Sequence, residues 1–278
     1  MVMIDVIIST RDNVTSKHFS LYYVIRSLLH QSQQDLNIIV ADNGSKDDTT
    51  VALRKAFGQK VGVLDTSDVA GNLAASRNRA VSCGKAELVM FLDDDMIPNG
   101  ADTLEKSFSL ARKVDFACGA RRLWAPLSWS KLIRPDDPIN KALSTLRHTA
   151  FEPHSVNRIS GKNILDNRSY LANYGTISRR VFEEVGGFDE EYVGWGYQDT
   201  DLMRRLCVAG YSYDLFSHAM IEVFHLSHPV DKGQLYEVNR RRFVDKQRED
   251  GRAFNTNHFF EIYENDGYSL FSDFREPV

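Results

Sequence analysis

Three carboxylates stand side by side at Asp93, Asp94 and Asp95, directly after the apolar run Leu88-Val89-Met90-Phe91-Leu92. Like charges this close repel, and taking each out of water is costly. A cation relieves both problems. A hard divalent ion with oxygen ligands, Mn²⁺ or Mg²⁺, suits these donors, and such ions commonly also hold a substrate's phosphates. An ordinary acidic turn at a strand end has the same look. A second group of reactive side chains follows later. Gly194-Trp195-Gly196 sets a bulky aromatic between two glycines, which absorb large backbone rotations easily. The indole is either a platform for a sugar ring or the core of a tight turn. Asp199 opens a predicted helix, as an N-terminal acid favoured by the helix dipole or as a rigidly held general base. Asp201 is open to the same two readings. His225 and His228 lie just past a predicted strand; neutral imidazole suits Mn²⁺ better than Mg²⁺, and His225 is taken as the ligand.

The surrounding elements must bring these groups together. Ile4 to Ile8 reads as a strand, followed by the polar loop Ser9-Thr10-Arg11-Asp12-Asn13 and a helix with Leu21, Ile25, Leu28 and Leu29 on one face. Asn37 to Ala41 reads as a second strand, ending at Asp42-Asn43-Gly44-Ser45. This alternation predicts an α/β chain with a doubly wound, mostly parallel sheet. Such sheets bind ligands at the carboxyl ends of their strands. Ser9 to Arg11, Asp42 to Ser45 and Asp93 to Asp95 should therefore converge on one edge. Pro98 is expected to prevent regular continuation beyond the acidic run. Gly71 to Ala80 reads as a loop entering a helix, whose Arg77 and Arg79 face either a nucleotide diphosphate or solvent. Residues 121–170 hold Trp124, Trp129 and a cluster of prolines, with poor periodicity apart from a short helix around Ile139 to Leu146. They read as a substrate-covering insertion or a plain surface excursion. A helix from Ser178 to Val185 ends at Gly186-Gly187. Strands are expected at Tyr211–Phe216 and Met220–Phe224, and a charged helix at Gly233–Arg252.

The net charge of −4 over 278 residues gives no support to nucleic-acid binding. No apolar stretch has the length of a membrane span, and the first residues lack the pattern of a signal peptide. Peripheral membrane association stays compatible with this. Cys83, Cys118 and Cys207 are odd in number and widely spaced, which suggests neither a disulfide framework nor zinc; a cytoplasmic location is the simplest expectation.

Val6-Ile7-Ile8-Ser9-Thr10, Val40-Ala41-Asp42-Asn43-Gly44-Ser45, Arg77-Asn78 and Phe91-Leu92-Asp93-Asp94-Asp95 resemble the family 2 inverting glycosyltransferases of GT-A fold. The segment from Asn173 to Leu202 is similar to the galactosyltransferase-type region of β-1,4-galactosyltransferases, chondroitin-polymerase-like enzymes and polypeptide N-acetylgalactosaminyltransferases. The resemblance covers roughly residues 3 to 230. It implies a GT-A, Rossmann-like sheet flanked by helices, with an acceptor-side insertion and a C-terminal helical extension. The catalytic domain would span 1–231: a nucleotide-binding half at 1–98, the insertion at 121–170 and an acceptor half at 171–231. Residues 232–278 would form the extension and tail. It further implies a UDP-sugar donor. Ser9, Thr10, Arg11, Asp42 and Asn43 would line the uridine pocket, Arg77 would lie near the base or diphosphate, and Asp93 and Asp94 would sit beside the nucleotide. Asn173 to Thr176 and Gly187 would border the donor sugar. Asp93, Asp95 and His225 would hold Mn²⁺, or Mg²⁺ in its place. Trp195 and position 198 would face the acceptor, and Asp199 would be the general base.

Two positions depart from the family pattern. Gln198 stands where the family usually has the acceptor-binding Glu, and Asp42-Asn43 where many UDP-sugar users have two acids. The acceptor implied is a hydroxyl of a glycan, a lipid-linked sugar or a protein. Two other readings fit the residues: a nucleotidyl- or phosphoryl-transferring enzyme with metals on the acidic run, and a nucleotide-sugar binding module without turnover.

Overall fold

Every residue of the first strand, β1 (Ile4–Thr10), is buried, as expected of a strand covered on both faces. The computed structural model describes residues 3–151, 154–156, 163–165, 171–216, 221–228 and 235–249. The tail beyond residue 249 and much of 152–170 lie outside these. After β1 come α1 (Asn13–Ser16), α2 (Ser20–Leu28), β2 (Leu36–Asp42), α3 (Thr49–Phe57), β3 (Gly62–Asp65) and α4 (Leu73–Cys83). Next are β4 (Leu88–Asp93), β5 (Met96–Pro98), α5 (Thr103–Ala111), β6 (Phe116–Cys118), β7 (Arg121–Ala125), α6 (Trp129–Leu132), α7 (Ile139–Thr149), β8 (His154–Val156) and β9 (Asn163–Leu165). The rest comprises β10 (Tyr174–Ser178), α8 (Arg179–Glu184), α9 (Gln198–Val208), β11 (Tyr213–Leu215), β12 (Glu222–Leu226) and α10 (Tyr236–Glu249).

Seven strands form the main sheet in the order β11-β6-β10-β4-β1-β2-β3. Only β10 runs against its neighbours β4 and β6; the other pairings are parallel. This is the mixed α/β, mostly parallel architecture expected of a GT-A fold. Side chains alternate across it. Ile4, Val6 and Ile8 point into one core, with Leu21, Val24, Ile25 and Leu28 of α2 and Leu104 and Phe108 of α5. Ile7 points into the other, with Val181 and Phe182 of α8 and Leu202 and Leu206 of α9. Asp5 interrupts the apolar run of β1, yet it is fully buried. Its carboxylate accepts from Arg179 Nη2 at 2.7 Å, Asn37 Nδ2 at 2.7 Å and the Ala86 amide at 2.8 Å. Those partners are what make a buried charge tolerable. Gly84 passes so close that a β-carbon there would lie 2.1 Å from the Asp5 carboxylate.

Beyond β4 the chain differs from the sequence expectation. Pro98 does not end regular structure: Met96–Pro98 is an edge strand of a second sheet, ordered β5-β12-β7. An edge position leaves one side of the strand unpaired, so proline's missing N–H is tolerated there. Asp93-Asp94-Asp95 is thus the short crossing from one sheet to the other. Residues 121–150 are also built into the body. β7 pairs with β12, and Ala125, Trp129, Ile133, Ala142, Leu143 and Leu146 join the first core. Their irregular periodicity reflects short elements packed on several sides, with Trp129 buried edge-on to Tyr23 at 5.7 Å. No helix among the described residues is long and apolar enough to cross a membrane.

Candidate active site

The carboxyl ends of β1, β2 and β4 meet on one edge of the main sheet, because these strands pair in parallel and in register, with Ser9 opposite Asp93 and Thr10 opposite Asp42. The three acids that leave β4 then diverge. Asp93 faces the sheet edge, where its carboxylate accepts from Arg77 Nη2 at 3.0 Å and from the Asn173 amide. Arg77 is only 7% exposed and lies over the Phe188 ring, so it is not a solvated helix residue. Arg79, by contrast, is exposed and pairs with Asp68. Asp94 turns inward. It accepts from Thr10 Oγ1 at 2.6 Å, Asn13 Nδ2 at 2.8 Å and Lys17 Nζ at 2.6 Å. Asp95 faces the second sheet. Its backbone carbonyl accepts from the Leu226 amide at 2.8 Å, which sets His225 and His228 of the β12 end beside it.

Around Asp95 the geometry fits a divalent cation. One ligand atom each from Asp95, His225 and His228 lies within 4.8 Å of the others. His225 Nε2 is 3.8 Å from Asp95 Oδ1 and His228 Nε2 is 2.9 Å from Oδ2. Both Asp95 Oδ1 and His225 Nδ1 are buried with no hydrogen-bond partner, and such orphaned atoms call for an explanation such as an ion. Burial pushes the His225 imidazole down to about 4, against the pull of Asp95, so it is neutral and its lone pair is available. Burial also opposes ionisation of Asp95, but Lys17 beside it, aided by the His228 hydrogen bond, holds its carboxyl well below the usual range. Asp93 goes the other way: burial, with Asp95 adding, raises it, and Arg77 opposes the rise.

Asp199 reaches the same edge from the first turn of α9. Its Oδ1 accepts from the Ala172 amide at 2.8 Å, and the next residue, Asn173, bonds Asp93 through both its carbonyl and its side chain. One turn of chain therefore links the two carboxylates. Burial lifts the Asp199 carboxyl to about 6; Arg77 opposes the rise and Asp93 adds to it. That value suits a general base near neutral pH. Asp201 is a structural acid: fully buried, it bonds Arg205 at 2.7 Å and Arg204 at 3.3 Å, and Arg205 in turn bonds the carbonyls of Val185 and Gly187.

The other expected site residues fall into two groups. Asp42 accepts from the Ser45 amide and from Thr50 Oγ1, while Asn43 bonds the Gly71 amide and the Asn72 carbonyl. Both shape the edge, and Arg11 beside them is exposed with Asp12 for company. Asn72 caps α4 and also bonds the Glu190 carbonyl, and the Gly194 amide bonds Gly71, so this loop supports the Gly-Trp-Gly turn. Trp195 is 45% exposed and stacks on Tyr236 of α10 at 5.5 Å. Gln198 is buried, and its amide donates back to the carbonyl of Gly194 at 2.5 Å. It lies against the Gly-Trp-Gly turn, on the side where the family resemblance puts an acceptor contact. Gly187 packs on Asn78 and Phe182. Sequence reasoning missed Lys17, since a lysine in a polar loop reads as solvated. The signal was there in Asn13 and Ser20, whose side chains close the same loop onto Asp94. A cavity of about 740 Å³ between Lys85, Asp115 and Arg180 lies at the opposite end of β4 and β10, away from this chemistry.

The fold and this edge define a GT-A glycosyltransferase domain. The chain belongs to the glycosyltransferase like family 2, whose model matches residues 6–228. It is similar to an uncharacterized glycosyltransferase YfnE of Bacillus subtilis, 23% identical, over 75% of this chain and 62% of that protein. It is also similar to an uncharacterized protein y4gI of Sinorhizobium fredii, 24% identical, over 96% of this chain. The chain spans only 29% of that relative's length. Among solved structures, it shares its fold with the Pyrobaculum calidifontis mannosyltransferase PcManGT in complex with GDP-Man and Mn²⁺, with TM-score 0.54 and 16% identity over 87% of this chain and 62% of that one. It does so too with S. aureus TarS in complex with UDP-GlcNAc, with TM-score 0.56 and 16% identity over 83% and 60%.

Proposed function

We propose that the chain is a metal-dependent inverting glycosyltransferase that moves a hexose or N-acetylhexosamine from a UDP-sugar to a hydroxyl of a glycan, a lipid-linked sugar or a protein. The observation that carries this reading is the pairing of Asp199, raised to about 6, with Asp93 across Ala172-Asn173. Asp199 takes the proton of the acceptor hydroxyl as its oxygen attacks the anomeric carbon opposite the leaving diphosphate. One base is enough for this, whereas a glycosidase needs a second, protonated carboxyl across the bond. Asp95, His225 and His228 would hold Mn²⁺ or Mg²⁺; when bound, the ion supplies Lewis-acid neutralisation of the leaving diphosphate. Arg77 orients Asp93 toward the donor, and Ser9, Thr10, Arg11, Asp42 and Asn43 form the uridine side. Trp195 offers its exposed ring to the acceptor. The division of labour follows the chain: residues 1–98 serve the nucleotide, 171–231 the sugar and acceptor. The galactosyltransferase-type character of 173–202, the choice of UDP and a cytoplasmic setting belong to the same reading. The nucleotide sugars held by PcManGT and TarS support a nucleotide-sugar donor. A binding module without turnover is less well supported, because Gln198 is engaged inside its own loop.

Thermal shift with a panel of nucleotide sugars, with and without Mn²⁺, tests this. A ligand that binds only the folded state raises Tm by mass action. A Mn²⁺-dependent shift with one UDP-sugar is expected. No shift with any nucleotide sugar at millimolar concentration contradicts the proposal.

A further inference from the structure

The acidic run already carries a cation. Lys17 Nζ bridges Asp94 Oδ1 at 2.6 Å and Asp95 Oδ2 at 2.8 Å, with side-chain exposures of 21%, 5% and 4% for the three residues. The loop is bent to deliver it. Asp12, His18 and Phe19 all adopt left-handed backbone angles, with φ of 48°, 51° and 56°, a conformation that costs energy for residues with side chains. Asn13 and Ser20 tie both ends of the bend to Asp94, through its carboxylate and its carbonyl. Ordering a lysine also costs side-chain entropy. Strain and entropy are thus both spent on holding one ammonium against two buried carboxylates.

Charge counting shows what this does to the site. Asp93, Asp94 and Asp95 face two cations, Arg77 and Lys17. The group is left with one negative charge, and a divalent ion would turn this into one positive charge, the sign wanted opposite a diphosphate. Without Lys17 the group would hold two uncompensated negative charges, destabilising the ion-free protein and holding a divalent ion more tightly. Lys17 also takes Asp95 Oδ2 and leaves Oδ1 without a partner.

We propose that Lys17 is a resident counter-ion: it holds Asp94 and Asp95 together when no ion is bound, and it weakens divalent-ion binding at Asp95, His225 and His228. This rests on the metal reading above. Lys17 is a positioning residue, and its test is ion binding and melting, not turnover. Wild type, Lys17→Met, Lys17→Gln and Lys17→Arg are titrated with Mn²⁺ alone, by calorimetry or electron paramagnetic resonance, and melted in EDTA and in excess Mn²⁺. The expected result is that Lys17→Met and Lys17→Gln bind Mn²⁺ about tenfold tighter or more. Both melt lower than wild type in EDTA and recover most of the loss in Mn²⁺, while Lys17→Arg follows wild type in both measurements. If Lys17→Met is insoluble without ion, purification in Mn²⁺ with recovery of the fold is the same result in stronger form. Unchanged or weaker Mn²⁺ affinity in both neutral variants, with wild type binding the ion, overturns the role of Lys17 and leaves the metal site standing. No Mn²⁺ binding by any of the four proteins overturns the metal site itself, and this inference with it.

Discussion

Replacing Asp199 by Asn should slow catalysis sharply and make the protein more stable, in a pH-dependent way. The Asp199 carboxyl is pushed up to about 6 in the folded protein, from an ordinary 3.8, mainly by desolvation. A group whose folded pKa is raised in this direction penalises the folded state wherever it is ionised. The penalty is therefore full above pH 6 and fades as pH falls toward 4, where the folded protein takes up its proton before the unfolded chain does. At about 1.4 kcal/mol per pKa unit, the shift amounts to about 3 kcal/mol above pH 6 and to under about 1 kcal/mol at pH 4. Asn removes the charge and keeps an oxygen for the Ala172 amide, which Asp199 accepts at 2.8 Å. Urea unfolding of wild type and Asp199→Asn across pH 4 to 8 should show the variant gaining on wild type by up to about 3 kcal/mol as pH rises. Turnover should fall by about 10² to 10⁴, the usual worth of a positioned base. The wild-type rate should lose its base limb below about pH 6, and the variant's residual rate should not. A stability gap that does not change with pH, or one that widens toward acid, refutes the placement of this carboxylate in a site that disfavours its charge.

Two further outcomes concern the turn that carries Trp195. Asn239 donates to the carbonyls of Val193 at 2.9 Å and Gly196 at 3.1 Å from a buried position. Asn239→Ala leaves those carbonyls unpaired, at about 1–3 kcal/mol; steady-state kinetics should show a raised KM for acceptor with donor affinity unchanged. Gly196 has φ of +106°, and a β-carbon there would lie 2.7 Å from the Tyr236 ring. Gly196→Ala should therefore part Trp195 from Tyr236, lowering Tm and changing tryptophan fluorescence.

What the sequence disclosed, and what it withheld, follows from physical range. β1, β2 and β4 are mainly apolar runs ending in polar residues, a local pattern, so the parallel sheet and the convergence of its carboxyl ends were legible. The fates of Asp93, Asp94 and Asp95 were not. Consecutive side chains leaving a strand point in different directions, and which one meets Arg77, Lys17 or His225 depends on elements far away in the chain. Lys17 was missed because its inward turn depends on left-handed angles at His18 and Phe19 and on the Asn13 and Ser20 bonds to Asp94, which only the folded loop makes. Pro98 was read as a stop because the second sheet, which gives it an edge position, is completed only by β12. Residues 121–150 looked irregular for a similar reason: Trp129 and Leu146 are buried by α2 and the second sheet, not by neighbours in sequence. The partner of Gln198 was not legible either: its amide donates to the Gly194 carbonyl, a contact set by the fold of the Gly-Trp-Gly turn.

The most direct test of the account is nucleoside diphosphate release from the nucleotide sugar that gives the largest Mn²⁺-dependent thermal shift, measured for wild type, Asp95→Ala and Asp199→Asn. Wild type with Mn²⁺ should release the diphosphate at a rate that rises with acceptor. Asp95→Ala should lose the Mn²⁺ dependence together with ion binding. Asp199→Asn should bind donor as wild type does and lose turnover by at least about a hundredfold. Wild-type release that is indifferent to both substitutions would contradict it.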